Sequence, residues 1–593
     1  KNYQNMFIFK KYKNLLLKLF KILKKLKIEN KKKSVLKLTL LSFLSYLLEL
    51  ISLGSIIPLI FLILKKDQMM EYVNDIDYLS EFSYSEILVI SISAILFFSV
   101  LKFFILVYFN YYKNFFFAKV QTSSSSYLLE KYLNNSYFFY LKKNVSELIA
   151  NIKAEAERFR GFLSVLIDLM FELFVISSIL IFLLYVNFIA SVVFAFFIIF
   201  SSYLFLKIVK KYTKRIGEKK SYFYKVVNNH LFLIFKNIKF IKIFNLYDYS
   251  IKTFKEIDTK ELKQTAKYLT VSSIPKIYFD FIFILSTIIL ICLLFFFFKE
   301  DDTLVIGQYL SIYGLMAFRV LPSISRIYSY IQQINFYGNS VTIFSNNIFS
   351  NTFRENKNNF LFKKLSQNIL YEFSKVQFKY NKKDKSIIEN TSFKINFGDK
   401  IVITGPSGVG KSTIVDLILG VLEPTEGKIF INKNFAKNFN TLKNKLGYVS
   451  QDLKLIDGSI KENITFGSDI KNLSKREMDE RLNKCAATTN SHSFINKLKR
   501  KFNTKIYEDG KNLSAGQRQR ILIARSIFNN PKLLVMDEPT SALDLNNSNK
   551  IIKNIVKFNK SMTLIVVTHH KTILKNFNKF LNINNSKILI KGK

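Results

Sequence analysis

Six apolar stretches, each long enough to cross a hydrocarbon layer about 30 Å thick, recur in the first 331 residues. They are Val35–Leu64, Ile87–Phe109, Phe162–Tyr185, Phe188–Val209, Ile277–Phe298 and Leu304–Ile331. In a bilayer the backbone must satisfy its own hydrogen bonds, so these runs read as helices and not as strands of an open sheet. The polar segments between them alternate in length and charge. Those assigned to the far side are short or acidic: Lys65–Glu86 sets two lysines against six acids, and the others are Val186–Asn187 and Lys299–Asp302. Those assigned to the near side, about residues 110–161 and 210–276, are long and lysine-rich, and lysines also crowd residues 1–36. The excess of Lys and Arg in cytoplasmic loops then gives one topology, with both termini in the cytoplasm. The length of the first run and its lack of a small-residue cleavage site argue against a signal peptide. Tyr127–Glu157 carries apolar residues at helical spacing among charges, so the membrane helices are expected to continue into the cytoplasm.

Composition agrees with this plan and closes other routes. A hydrophobic content of 49%, with 61 Phe and 31 Tyr, excludes disorder and argues against a wholly soluble protein. The net charge of +45 has three readings: a nucleic-acid footprint, lysines gathered on the cytoplasmic side of a membrane protein, or a lysine-leaning surface without special purpose. The asymmetry of the loops selects the second, with no nucleic-acid partner. Two cysteines, Cys292 and Cys485, and four histidines cannot build a disulfide framework or a four-ligand zinc site.

Beyond Tyr337 the sequence passes through an Asn- and Lys-rich connector around Asn346–Ser366, and the apolar runs shorten to strand length. The expected plan is an α-helical polytopic membrane domain of six helices over residues 1–340, a linker over 341–369, and an α/β P-loop NTPase domain over 370–593. The P-loop itself is Gly405, Pro406, Ser407, Gly408, Val409, Gly410, Lys411 and Ser412, joined by Thr413. It follows the β-branched run Lys400–Thr404 and opens an apolar helical stretch. Glycines let the backbone N–H groups turn inward around phosphates; Lys411 would reach the β- and γ-phosphates of ATP, and Ser412 would hold Mg²⁺. Lys532–Glu538 reads as a buried strand ending in two acids, Asp537 for the Mg²⁺ shell and Glu538 as general base for the attacking water.

Between these sites lies Leu513-Ser514-Ala515-Gly516-Gln517, and the order of the three motifs resembles that of ATP-binding cassette (ABC) ATPases, from about Tyr371 to the end of the chain. The resemblance implies that Tyr380 stacks on adenine, that Gln451 is the Q-loop residue near Mg²⁺, and that Ser541–Asp544 is the D-loop. It further implies that His569 is the switch histidine on the γ-phosphate, chosen over His570 because it directly follows the apolar strand Leu564–Thr568. Two departures stand out: Ala515 replaces the usual first Gly of the signature, and His570 replaces a usual Arg. In this family Ser514 of one subunit completes the site formed by Lys411 of the other. One cassette joined to six spans therefore resembles a half-transporter of the exporter type, and a homodimer in a bacterial-type inner membrane is the simplest expectation.

In the membrane half, Arg319 and Arg326 lie seven apart on one helical face, where they could present two cations to a phosphate or pyrophosphate. The competing reading has Arg326 snorkelling to the interface and Arg319 neutralising Asp168 or Glu172, acids that Lys102 or Lys276 could also meet. Ile274–Asp280, Ala317–Ser323 and Tyr132–Leu148 resemble the lipid-linked oligosaccharide flippases of bacterial protein glycosylation (PglK type). That resemblance implies flipping of a polyprenyl-pyrophosphate-linked glycan. The alternatives are an exporter of lipids, drugs or peptides, a soluble cassette ATPase, an ion channel with a regulatory cassette, and an importer; the first of these stands nearest.

Overall fold

The computed structural model describes residues 19, 21–55, 59, 62–63, 70, 82–186, 188–297, 303–349, 359–381, 384–452, 454–470, 473–507, 510–584 and 586–592. Most of Lys65–Glu86, the loop Lys299–Asp302, and many side chains between 182 and 211 and between 283 and 319, Arg319 among them, lie outside the described residues. The chain divides into two compact units, Lys1–Asn135 with Tyr140–Thr352 and Ser136–Phe139 with Phe353–Lys593.

The first unit is helical. Its long helices are α1 (Lys31–Gly54), α2 (Tyr84–Leu133), α3 (Ala156–Val186), α4 (Phe188–Lys236), α5 (Tyr247–Phe297) and α6 (Thr303–Phe349). Because about 20 residues span a bilayer, the 50 residues of α2 and 49 of α4 run well beyond one. The lysine-rich segments after residues 109 and 209 are thus helical continuations, as their spacing predicts. At the start of α2, Glu86 accepts the Ser83 amide at 2.8 Å, satisfying a donor that the first turn leaves open. A π-helical turn, Asn151–Glu155, precedes α3. Among the described residues, Lys31–Ser52, Tyr84–Leu133 and Val145–Ile181 are long and apolar enough to cross a membrane. Their outer faces leave large apolar side chains open, Leu40, Phe43, Leu96 and Phe104 among them, as a hydrocarbon solvent permits. Inside, α3 packs on α6 through Phe159 stacked 4.8 Å from Phe344.

The second unit is α/β. Its main sheet has the strand order β12-β11-β4-β10-β9-β6, formed by Lys587–Gly592, Lys579–Asn584, Lys400–Thr404, Thr563–Val567, Leu533–Asp537 and Leu446–Val449. All neighbours in it are parallel except β12 with β11. A second sheet, β1-β5-β2-β3, comprises Phe360–Lys363, Glu426–Asn432, Ile369–Phe378 and Ile388–Asn396. Strands β9 and β10 are buried along their whole length, which is why they read as continuous apolar runs and not as alternating ones. Helix α7 (Lys411–Ile418) follows β4, and α8 (Lys475–Thr488), α9 (Ala515–Ile527) and α10 (Leu545–Phe558) form most of the helical cover. Register aligns the carboxyl ends of the central strands: Val567 pairs with both Ile403 and Asp537, and Val449 pairs with Met536. In parallel sheets ligands bind beyond this edge, and the P-loop, Gln451, Glu538 and His569 all lie just after these four strands.

Candidate nucleotide site

The turn between β4 and α7 requires glycine at two positions. Gly405 has φ +151°, and a Cβ on it would stand 2.5 Å from the Ile583 carbonyl oxygen; Gly410 has φ +104° and would meet Ile387 Cγ2 at 2.5 Å. Lys411 is buried at the root of the loop, and its Nζ donates to the carbonyls of Gly405 at 3.0 Å and Pro406 at 2.9 Å. Ser412 Oγ donates to Asp537 Oδ2 at 2.9 Å. Buried Thr413 lies 3.2 Å from the Tyr380 hydroxyl, whose ring packs edge-on against Phe378.

Two acids end β9, and their environments differ. Asp537 is buried, and desolvation raises its carboxyl above the usual range, partly opposed by the Ser412 hydrogen bond. Glu538 adopts φ +46°, a conformation few non-glycine residues take, held by its amide bonding to Val567 at 3.0 Å. Its two carboxylate oxygens face different partners. Gln451 Nε2 donates to one at 3.1 Å, and His569 Nε2 stands 3.6 Å from the other. The neighbouring His570 uses its backbone amide on Thr568 Oγ1. Residues 87 and 31 positions from Glu538 in sequence therefore converge on one carboxylate because the parallel register brings the ends of β6, β9 and β10 together.

Ser514 caps α9, accepting from the Gln517 amide at 3.2 Å while Gln517 Oε1 accepts the Ser514 amide at 3.0 Å. Ala515 is the first residue of this helix. At Gly516, a Cβ would meet Leu543 Cδ2 at 3.0 Å and the Ala542 carbonyl at 3.2 Å, so the tight packing of the signature falls on its second small residue. Among the described residues, none of Leu513–Gln517 shares a hydrogen bond with Gly405–Thr413. Asp544 caps α10 and is held below the usual carboxylate range by the donors of Asn547.

Sequence reasoning passed over two residues. Gln519, 1% exposed, donates to the Glu538 carbonyl at 3.2 Å and accepts the Ala542 amide at 3.1 Å. The available signal was a glutamine three and four positions from Leu522 and Ile523, on the apolar face of α9. Asp416, one turn after Ser412, is pushed up to about 6, first by burial and then by the charge of Asp537.

In the membrane unit the expected pairings change. Arg326 is not a free or snorkelling cation: its Nε and a terminal nitrogen hold Glu172 at 2.6 and 3.3 Å, and it also donates to Ser323. Lys102 pairs with Glu49 at 2.9 Å, not with Asp168 or Glu172, and Asp168 takes Lys113 at 2.6 Å. A carboxylate shielded by helix packing needs a compensating cation, and where that cation lies on another helix the sequence cannot choose it without knowing the helix rotations. Arg326 also lines a cavity of about 330 Å³ with Lys276, Asp280, Leu321, Pro322 and Ser325.

Fold and site together have the ABC exporter architecture, a helical membrane domain followed by one cassette. Residues 35–321 match the ABC transporter transmembrane region, and residues 388–541 match the ABC transporter cassette. The chain is similar to ABC transporter B family member 13 of Arabidopsis thaliana, 35% identical over 219 residues that are 37% of this chain and 17% of that one. It is similar also to the alpha-hemolysin translocation ATP-binding protein HlyB of Escherichia coli O157:H7, 36% identical over 38% of this chain and 32% of that one. The multidrug export ATP-binding/permease protein YgaD of Bacillus subtilis (strain 168) is 36% identical over 37% of each chain. The chain thus spans well under two thirds of these relatives' length. A bacterial Atm1-family ABC exporter, solved with ATP bound, superposes with a TM-score of 0.73 over 95% of both chains at 19% identity, a likeness of fold.

Proposed function

We propose that this chain is one half of an ATP-driven exporter, with residues 1–340 as membrane domain, 341–369 as linker and 370–593 as ATPase. The observation that carries the reading is the convergence of Gln451 and His569 on Glu538, beside the Ser412–Asp537 bond. The loop Gly405–Thr413 with Lys411 would cradle the phosphates of ATP, and Tyr380 would stack on its base. Ser412 and Asp537 offer the hard oxygen donors that suit Mg²⁺, with Gln451 beside them, and the ion would supply charge neutralisation at the phosphates. Glu538 would take the proton of the attacking water. His569 would stand at the γ-phosphate, and Gln451 would keep the Glu538 carboxylate oriented. Leu513, Ser514, Ala515, Gly516 and Gln517, with Asp544 of the D-loop, would act across a dimer on the partner cassette's site. A homodimer follows naturally because one chain carries every one of these groups.

For the cargo, the reading is a polyprenyl-pyrophosphate-linked oligosaccharide moved across a bacterial-type inner membrane. It is supported by the segments that resemble flippases and by the cavity holding Lys276 and Arg326. Arg319, whose side chain lies outside the described residues, is a second candidate for the anion by its sequence position alone. The second reading, an exporter of other lipids, drugs or peptides, is favoured by the neutralisation of Arg326 by Glu172 and by relatives named for toxin translocation and multidrug export. Liposomes holding the chain and a fluorescent lipid-linked oligosaccharide distinguish the two. ATP-dependent flipping that disappears in Glu538→Gln supports the first, and ATP hydrolysis without flipping moves the assignment to the second.

A further inference from the structure

Between the polar ends of α4 and α5 lies a groove of about 490 Å³, lined by Glu218, Lys219, Tyr222 and Phe223 on one side and Lys260, Lys263, Gln264 and Lys267 on the other. The three lysines of α5 fall at i, i+3 and i+7, one column on one helical face, where like charges repel. The acids nearby do not answer them. Glu218, in the groove wall itself, is already bonded to Lys214 at 3.2 Å, and Glu261 lies toward Lys220. Glu256, one turn from Lys260, makes no ion pair with it among the described residues, and neither Lys219, Lys260, Lys263 nor Lys267 has an acidic partner there. The floor is of opposite character: Tyr222 leaves 64% of its surface open and Phe223 lies half-buried beside it.

Four lysines lining one groove with an exposed aromatic ring, set against the single acid Glu218, suit a ligand that carries several phosphates and a flat ring. Position selects its source. Lys267 precedes the apolar run beginning at Ile277 by about 15 Å of helix, and Lys219 follows Val209 by a similar length, whereas the headgroup layer is only about 5–8 Å deep. We propose that this groove binds a soluble organic polyphosphate of the nucleoside diphosphate class, separately from the cassette site.

The test is lysine-resolved acylation of the full chain in nanodiscs, read by mass spectrometry. ADP without magnesium should slow acylation of Lys260, Lys263 and Lys267 in the wild-type chain and equally in Lys411→Ala, where cassette binding is impaired. Tripolyphosphate should protect only at higher concentration, since it lacks the ring; equal potency would overturn the role of Tyr222. Protection that depends on phosphatidylglycerol in the nanodisc and not on ADP would assign the groove to lipid headgroups and overturn the proposal. Absence of protection by either phosphate compound would mark an ordinary solvated lysine face. Replacing Lys260, Lys263 and Lys267 by Gln should raise the ADP concentration needed to protect Lys219 roughly tenfold or more. Lys219→Gln, on the opposite helix, should weaken protection of the α5 lysines in the same direction.

Discussion

Gln519 joins the end of β9 to the turn Ser541–Asp544 with a single amide: its Nε2 bonds to the Glu538 carbonyl at 3.2 Å and its Oε1 to the Ala542 N–H at 3.1 Å. The backbone of Glu538 sits in a left-handed conformation that needs external support. Gln519→Ala leaves two backbone groups unmatched in a buried place, at about 1–3 kcal/mol each. We expect a lower unfolding temperature and a fall in turnover larger than the fall in nucleotide affinity. Equal losses in both, or none, would show that Gln519 only fills space.

The two histidines at the end of β10 should separate cleanly. His569 faces Glu538 across 3.6 Å, while His570 is tied to Thr568 through its backbone. His569→Ala should reduce ATP hydrolysis by roughly a hundredfold or more, the usual scale for losing a positioned polar group in such a site. His570→Ala should stay within a few fold. A reversed ranking in steady-state ATPase assays would reassign the switch position.

Asp416 makes stability depend on pH in an unusual direction. Its carboxyl is pushed up to about 6 by burial and by Asp537, from an ordinary value near 3.8. The folded cassette therefore binds the proton more tightly than the unfolded chain, and this favourable term is present below pH 4 and lost as pH rises toward 6. Removing the charge should undo that loss. Asp416→Asn is expected to raise the cassette's unfolding temperature at pH 7.5 and to change it little at pH 4; an equal shift at both values would rule out the titration as the cause.

The Arg326–Glu172 pair lends itself to a charge-separation experiment. Glu172 is 7% exposed and Arg326 38%, so breaking the pair costs less than the about 3–5 kcal/mol of a fully buried one. Glu172→Gln leaves Arg326 without its counter-charge beside the cavity that also holds Lys276. If an anion binds there, Glu172→Gln should tighten it and Arg326→Gln should weaken it, as read by stimulation of ATPase activity. Identical effects of the two variants would indicate that the pair only fastens α3 to α6.

How much of this could be read before the fold was known follows from the range of the interactions. The P-loop is local: Gly405 and Gly410 answer a turn within a few residues, and Lys411 bonds back to that same turn. Asp537 and Glu538 were legible because acids ending an apolar strand are costly without a purpose. The partner of Glu172 was not legible, because Arg326 lies 154 residues away and the choice among Lys102, Lys276, Arg319 and Arg326 depends on helix rotation. Asp416 and Gln519 were hidden differently. Each looks like an ordinary helical polar residue until the helix is docked and that face turns inward.

The unbroken length of α2 has a mechanical meaning. Fifty residues make a rod about 75 Å long, on which a tilt of about 5° shifts the far end by about 6–7 Å. A helix of this length would act as a lever: a small tilt set near Leu133 would become a displacement of several ångströms at Tyr84. Any insertion that lets the rod flex midway, a glycine pair for example, would dissipate this gain while leaving ATP turnover running idle.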